Sequence, residues 1–152
     1  MPSPKVIVKF NYTPKVIKAI TGETLAKALM AGGQVIEAQA KINVEKTFSS
    51  KSTGGAGLGG SIHTELVESS ETSAKVHVGP SVIYGRIQEL GGVIKPVFAK
   101  MLSWVNDAGE RVFANVVHIP ARPYLRPAVD NNLDKIKDAI GYQIEKSINE
   151  VL

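Results

Sequence analysis

No cysteine occurs among the 152 residues. That one absence excludes disulfides, thiolate zinc sites, iron–sulfur clusters and cysteine nucleophiles, and it fits a chain made in a reducing cytosol. Aromatic residues are scarce at 6%, and no stretch carries the ring-bearing strand of an RNA-recognition sheet. Histidine occurs three times, as His63, His77 and His118, with no H-x-x-x-H or other ligand spacing. No three basic residues are consecutive, so neither a basic helix nor a basic tail is present. Apolar runs fall well short of the ~18–20 residues that span a membrane, and the opening Met-Pro-Ser-Pro-Lys lacks the apolar core of a signal peptide. No Gly-x-Ser-x-Gly nucleophile turn is found.

What remains is an ordinary globular composition, 43% hydrophobic and 21% charged, of a length that folds as one domain with its own core. The net charge of +4 is unevenly distributed. Residues 1–51 hold eight lysines against three acids, whereas residues 96–152 are balanced at seven of each. Dispersed lysines read first as a solvated face. An anionic partner, nucleic acid or another anionic surface, is the alternative reading, and a small hydrolase with a spatially assembled triad is a third.

Hydrophobic periodicity supplies the elements. Lys5–Phe10 reads as a strand, and Thr13-Pro14 as a helix start. Gly22 is expected to bend or interrupt that helix. Leu25, Leu29, Gly32, Ile36 and Ala40 then form one narrow stripe, predicting a long helix to about Asn43. Gly32 on the stripe predicts a close approach by another backbone. Residues 47–61 carry five glycines, with Ser and Thr making up most of the rest, and read as a flexible loop. The string Gly55-Ala56-Gly57-Leu58-Gly59-Gly60 matches G-x-G-x-x-G by letter. A dinucleotide site needs a strand before it and a helix after it, and a polar run precedes this one.

A hairpin follows. Centring its turn on Glu71 sets Leu66 opposite Val76, Thr64 opposite Val78 and His77 opposite Glu65. One face is then apolar and the other polar, as in a half-buried antiparallel pair. A short helix, Val82–Leu90, ends at Gly91-Gly92. Val93–Lys95 reads as a strand. A second hairpin runs through Lys100–Val105 and Glu110–Val117 around Asn106-Asp107-Ala108-Gly109, with Trp104 expected opposite Arg111. His118–Pro127 reads as an extended linker stiffened by Pro120, Pro123 and Pro127. Val129, Leu133, Ile136, Ile140, Ile144, Ile148 and Val151 form the stripe of one closing amphipathic helix, with acids early and Lys146 late to suit its dipole. The fold class expected is α+β: an antiparallel sheet of about four strands, a long N-terminal helix, a short middle helix and a C-terminal amphipathic helix, in a single domain over residues 1–152.

Three strings stand in order: Thr53-Gly54…Leu58…Ser61-Ile62, then Val78-Gly79-Pro80…Tyr84-Gly85-Arg86-Ile87-Gln88-Glu89-Leu90-Gly91, then Ile119-Pro120-Ala121-Arg122-Pro123-Tyr124-Leu125-Arg126-Pro127-Ala128. Together they resemble the tail-component family of long-tailed bacteriophages, small proteins that complete the tail or join it to the head. Residues 24–150 follow its motif order. Gly85 stands where the family pattern has Ala, and extra glycines lengthen the loop. A sister family of virion-morphogenesis proteins carries a related Pro-Ala-Arg-Pro string, so the position within the neck stays open.

The resemblance implies a non-enzymatic virion protein at the neck or tail end, assembled in the host cytoplasm. It implies a homo-oligomeric ring, commonly hexameric, contacting a head connector or stopper and a tail-tube or terminator protein. DNA would pass only through its lumen; no membrane or cofactor is implied. Tyr84, Glu89, Pro120, Arg122, Pro123, Tyr124 and Arg126 are the expected assembly interface. Lys51, Gly54, Gly57, Leu58 and Gly60 belong to a loop expected to order on assembly.

Overall fold

The computed structural model describes residues 7, 20–48 and 53–150. The predicted strand at Lys5–Phe10 and the helix start at Thr13-Pro14 lie outside these residues, apart from an isolated Ile7. The chain forms two compact units, one from residues up to Val82 together with Tyr124 onward, the other from Ile83–Pro123.

The first unit is built around helix α1, Gly22–Thr47. Thr21 caps it, its hydroxyl accepting from the Thr24 N–H at 3.3 Å. Gly22 is thus the first residue of this helix, and a Cβ there would overlap the Ser70 carbonyl of the neighbouring hairpin. The helix also runs one turn past the predicted end and stops at Phe48, which is buried. Its buried positions are mostly small: Ala26, Ala28, Gly32, Gly33 and Ala40. Consecutive helical residues point about 100° apart, so Gly32 and Gly33 serve different neighbours. A Cβ on Gly32 would lie 2.7 Å from Ile140 of the closing helix, and one on Gly33 would lie 2.5 Å from Thr64 of the hairpin. The close approach predicted at Gly32 is real, but it comes from side chains.

Helix α2, Thr53–Ser61, occupies the segment that composition assigns to a loop. Five glycines in nine residues each cost up to ~1 kcal/mol against Ala in a helix. Burial of Leu58 and Ile62 offsets that cost. Strands β1, Ile62–Ser69, and β2, Ala74–Pro80, pair antiparallel in the predicted register, with Thr64 opposite Val78, Leu66 opposite Val76 and Glu65 opposite His77. A bulge between Leu66 and Glu68 then shifts the pairing by one. Ser70 and Ser73 close the turn, the Ser70 N–H donating to the Ser73 carbonyl at 2.7 Å.

The predicted closing helix is two helices, α4 over Leu125–Asp130 and α5 over Leu133–Asn149. Buried Asn132 breaks them: its side-chain amide donates to the Ala128 carbonyl at 3.1 Å, competing for a main-chain acceptor. Ile136, Ile140, Ile144 and Ile148 are buried as their spacing predicts, whereas Leu133 is exposed and Val151 lies outside the described residues. These isoleucines pack with Ala28 of α1, while Ala40, Val44, Phe48, Leu58, Ile62, Tyr124 and Ala128 form a second cluster. Glu37 ties α1 to β1, accepting from Lys41 Nζ at 2.6 Å and from the Thr64 hydroxyl at 2.8 Å.

The second unit holds α3, Gly85–Leu90, and four short strands: β3, Gly92–Ile94; β4, Leu102–Val105; β5, Arg111–Ala114; and β6, Val117–Ile119. They pair as β3–β6 and β4–β5, both antiparallel. Together with β1–β2, the described strands therefore make three two-stranded sheets rather than one of about four strands. Mixed helix and strand with a long early helix is what remains of the expected architecture.

Candidate assembly surface

Each expected interface residue can now be located within its own unit. In the second unit, Tyr84 precedes α3 and is exposed, and Glu89 is half-buried on that helix. Gly91 ends α3 with φ of 70°, its N–H donating to the Ile87 carbonyl at 2.8 Å. A Cβ there would lie 2.8 Å from the Ala121 nitrogen. Only glycine allows both that backbone conformation and that approach. The Arg122 N–H donates to the Gln88 carbonyl at 2.8 Å, so the proline-stiffened stretch is fastened beside α3. Its start is not linker but strand: Val117–Ile119 pairs with β3, with His118 opposite Val93. Pro120, Ala121, Arg122 and Pro123 are all exposed.

In the first unit, Arg126 is exposed on α4. Tyr124 is different. Its side chain is 0% exposed, within the cluster that also holds Val44, Phe48 and Leu58. Asn43 Nδ2 donates to its carbonyl at 2.9 Å. Tyr124 is therefore a core residue of its own chain, and its expected place on a surface is corrected: a ring this large next to an apolar helix gains more from burial than a rim position offers.

The expected loop residues also separate. Gly54 lies in α2, Gly57 and Gly60 are exposed on it, and Leu58 is 0% exposed in the same core as Tyr124. Lys51 lies outside the described residues. The pattern Gly-x-Gly-Leu-Gly-Gly hides its one large side chain among glycines, and that lone Leu58 was the available sign of an anchored segment.

The hairpin β4–β5 closes through Asn106–Glu110. Gly109 has φ of 81°, and the Asn106 side chain accepts from the Ala108 and Glu110 N–H groups at 3.0 and 2.9 Å. This is a three-residue turn with a glycine bulge. It sets Trp104 opposite Val112 and Val105 opposite Arg111, so the expected Trp104–Arg111 pairing is off by one residue.

Sequence reasoning missed the main property of this unit. Across 83–123 the single buried residue is Gly85. Of the large apolar side chains exposed among the described residues, twelve lie here, including Ile83, Val97, Phe98, Trp104, Val105 and Phe113. Weighted by exposure they offer on the order of 1,000 Å², taking ~150–250 Å² for a whole aromatic side chain. They are spread over more than one surface, since the register sets Trp104 on one face of β4–β5 and Val105 and Phe113 on the other.

Other chemistry is sparse among the described residues. No group of three or more His, Asp and Glu side chains could hold a metal. His77 lies opposite Glu65 and His63 opposite Gly79, on the outer face of the first hairpin. A hollow lined by Tyr142, Glu145, Lys146, Asn149 and Glu150 draws on one end of α5 alone, so no separate elements converge there. Among the described residues no helix is long and apolar enough to cross a membrane. No protein-family model, characterised protein or solved structure matches the chain.

Proposed function

We propose that this chain is a bacteriophage virion structural protein that forms a ring at the head–tail junction or tail end and performs no catalysis. The observation that carries the reading is the second unit, with its dozen exposed apolar side chains and almost nothing buried. Two-stranded sheets with so little interior are marginal in water and need covering by something else. An assembly protein meets that need through repeated contacts of one small surface under closed symmetry. The exposed Pro120–Pro123 stretch supports the same reading, since prolines lower the entropy lost when a projecting segment is fixed. The resemblance in motif order at residues 24–150 supplies the virion context; head connector or stopper and tail-tube or terminator proteins are the proposed partners.

The test is co-expression with a bacteriophage head-connector protein and a tail-tube protein, followed by mass measurement and imaging. Annular particles joined to either partner are expected. A chain that stays monomeric and unattached in every mixture refutes the reading. Replacing Arg122 and Arg126 together by Ala should reduce ring yield. A large melting loss would instead assign both arginines to holding their own chain together.

A further inference from the structure

The excess charge of this chain sits in one short stretch. Residues 1–22 carry Lys5, Lys9, Lys15 and Lys18 and no acid, so four of the 18 basic residues lie there and the other 14 balance the 14 acids. Within that stretch Lys5–Phe10 has the two-residue alternation of a strand, Val6, Val8 and Phe10 at one set of positions and Lys5, Ile7 and Lys9 at the other. Ile7 is 66% exposed and lies in no strand. A surface of opposite character exists on β1. From Ile62 to Glu71 the chain carries Glu65, Glu68 and Glu71 and no lysine or arginine, and β1 alone among the described strands holds carboxylates. Among the described residues β1 pairs only with β2, which leaves its other edge open. Leu66 and Val67 on that strand are 42% and 47% exposed.

We propose that Lys5–Phe10 of one copy adds to the open edge of β1 of a second copy as a third strand. In strand addition of this kind, main-chain hydrogen bonds hold the segment and alternate side chains select it. Val6, Val8 and Phe10 then extend the row of Thr64 and Leu66, the row whose Thr64 faces α1 at Gly33. Lys5 and Lys9 stand in the other row, beside Glu65 and Glu68. The edge of β2 presents Lys75 in that row and β5 presents Arg111, so like charge turns the segment away from both. The edge of β1 in the same chain is within reach. Gly22 lies against Ser70 at the turn of the hairpin, and the residues between Phe10 and Thr21 span up to ~35 Å when extended. Ile7 nonetheless stands outside any strand, which leaves the segment to a neighbour. Each copy offers one segment and one edge, so the contact runs head to tail, the kind that closes into rings. The inference names how copies join and rests on the ring reading for self-association; the pairing of segment and edge does not depend on the virion role.

The experiment is sedimentation of the full chain, with circular dichroism to monitor folding. Wild type is expected to self-associate at micromolar concentration. Lys5→Glu with Lys9→Glu in one chain, and Glu65→Lys with Glu68→Lys in another, should each weaken association by about tenfold or more. Glu65 and Glu68 are exposed, so the second chain keeps its fold. Mixing the two double variants should restore association, because the segment of each then meets an edge of opposite charge on the other. Only a contact between the segment of one chain and the edge of another is rescued in this way. Double variants that associate like wild type, or a mixture no better than its components, overturn the contact while leaving a ring possible. Wild type that stays monomeric to about 100 μM overturns it too, whether the segment is unpaired or folds onto its own edge. Association through this contact without attachment to any virion protein sinks the functional reading alone.

Discussion

Glu37 shows how much one side chain can carry. It sits on α1 with both carboxylate oxygens engaged, one by Lys41 and the other by the Thr64 hydroxyl. The Lys41 hydrogen bond chiefly holds its pKa below the ordinary 4.5; burial pushes the other way, and Thr64 adds to the lowering. A carboxyl whose pKa is depressed by folding binds protons more readily when unfolded. Its contribution is therefore complete above the unfolded value and is lost as pH falls through the folded one. Glu37→Gln should cost about 1 kcal/mol near pH 7. The gap should narrow as pH falls from 7 to below the ordinary 4.5, as read from urea unfolding of both proteins at the two pH values. An equal gap at both would remove the ion pair from the account. Periodicity marks Glu37 as off the stripe and hence solvated; that Thr64, distant in sequence, reaches back to it depends on hairpin placement alone. Tyr124 teaches the reverse lesson. A string read as a docking motif contains, in its middle, a residue committed to the core.

At the scale of elements, α2 is the case where local preference and tertiary structure disagree. Its composition favours coil, and its helical state stands on the side chains that anchor it, chiefly Leu58. Leu58→Ala should lower global stability by ~2–5 kcal/mol, and hydrogen exchange of the α2 amides should accelerate by more than that of α1. Unchanged α2 protection would mean that something besides Leu58 holds the helix. The elements legible beforehand were those with a strict period. In β1–β2 a one-residue slip would turn Leu66 and Val76 outward, so the pattern fixes the register. In α5 every fourth residue from Ile136 is an isoleucine. The split between α4 and α5 was not legible, because an apolar stripe continues across Asn131-Asn132 whether or not the main chain does.

For the whole molecule, the two units differ in kind. The first has two apolar clusters around a helix of small residues, and the second has exposed ladders. Local stability should follow this difference. In dilute chain the amides of β3–β6 and β4–β5 should exchange at least about a hundredfold faster than those of α1 and β1–β2, roughly 2.7 kcal/mol. Protection of β4–β5 should rise with concentration if copies cover it; protection that is uniform across the chain and independent of concentration would contradict this. By itself the sequence determined which segments alternate, which repeat every fourth residue and where chain reversals fall, because these follow from backbone geometry and side-chain direction within a few residues. It also determined that thiol chemistry is absent. Tertiary structure alone decided that Gly22, Gly32 and Gly33 are points of contact, that a glycine-rich run is helical, that Tyr124 and Leu58 are interior, and that the strands form three separate pairs. Each of these is set by which distant surfaces come within van der Waals reach, a quantity that no local pattern encodes.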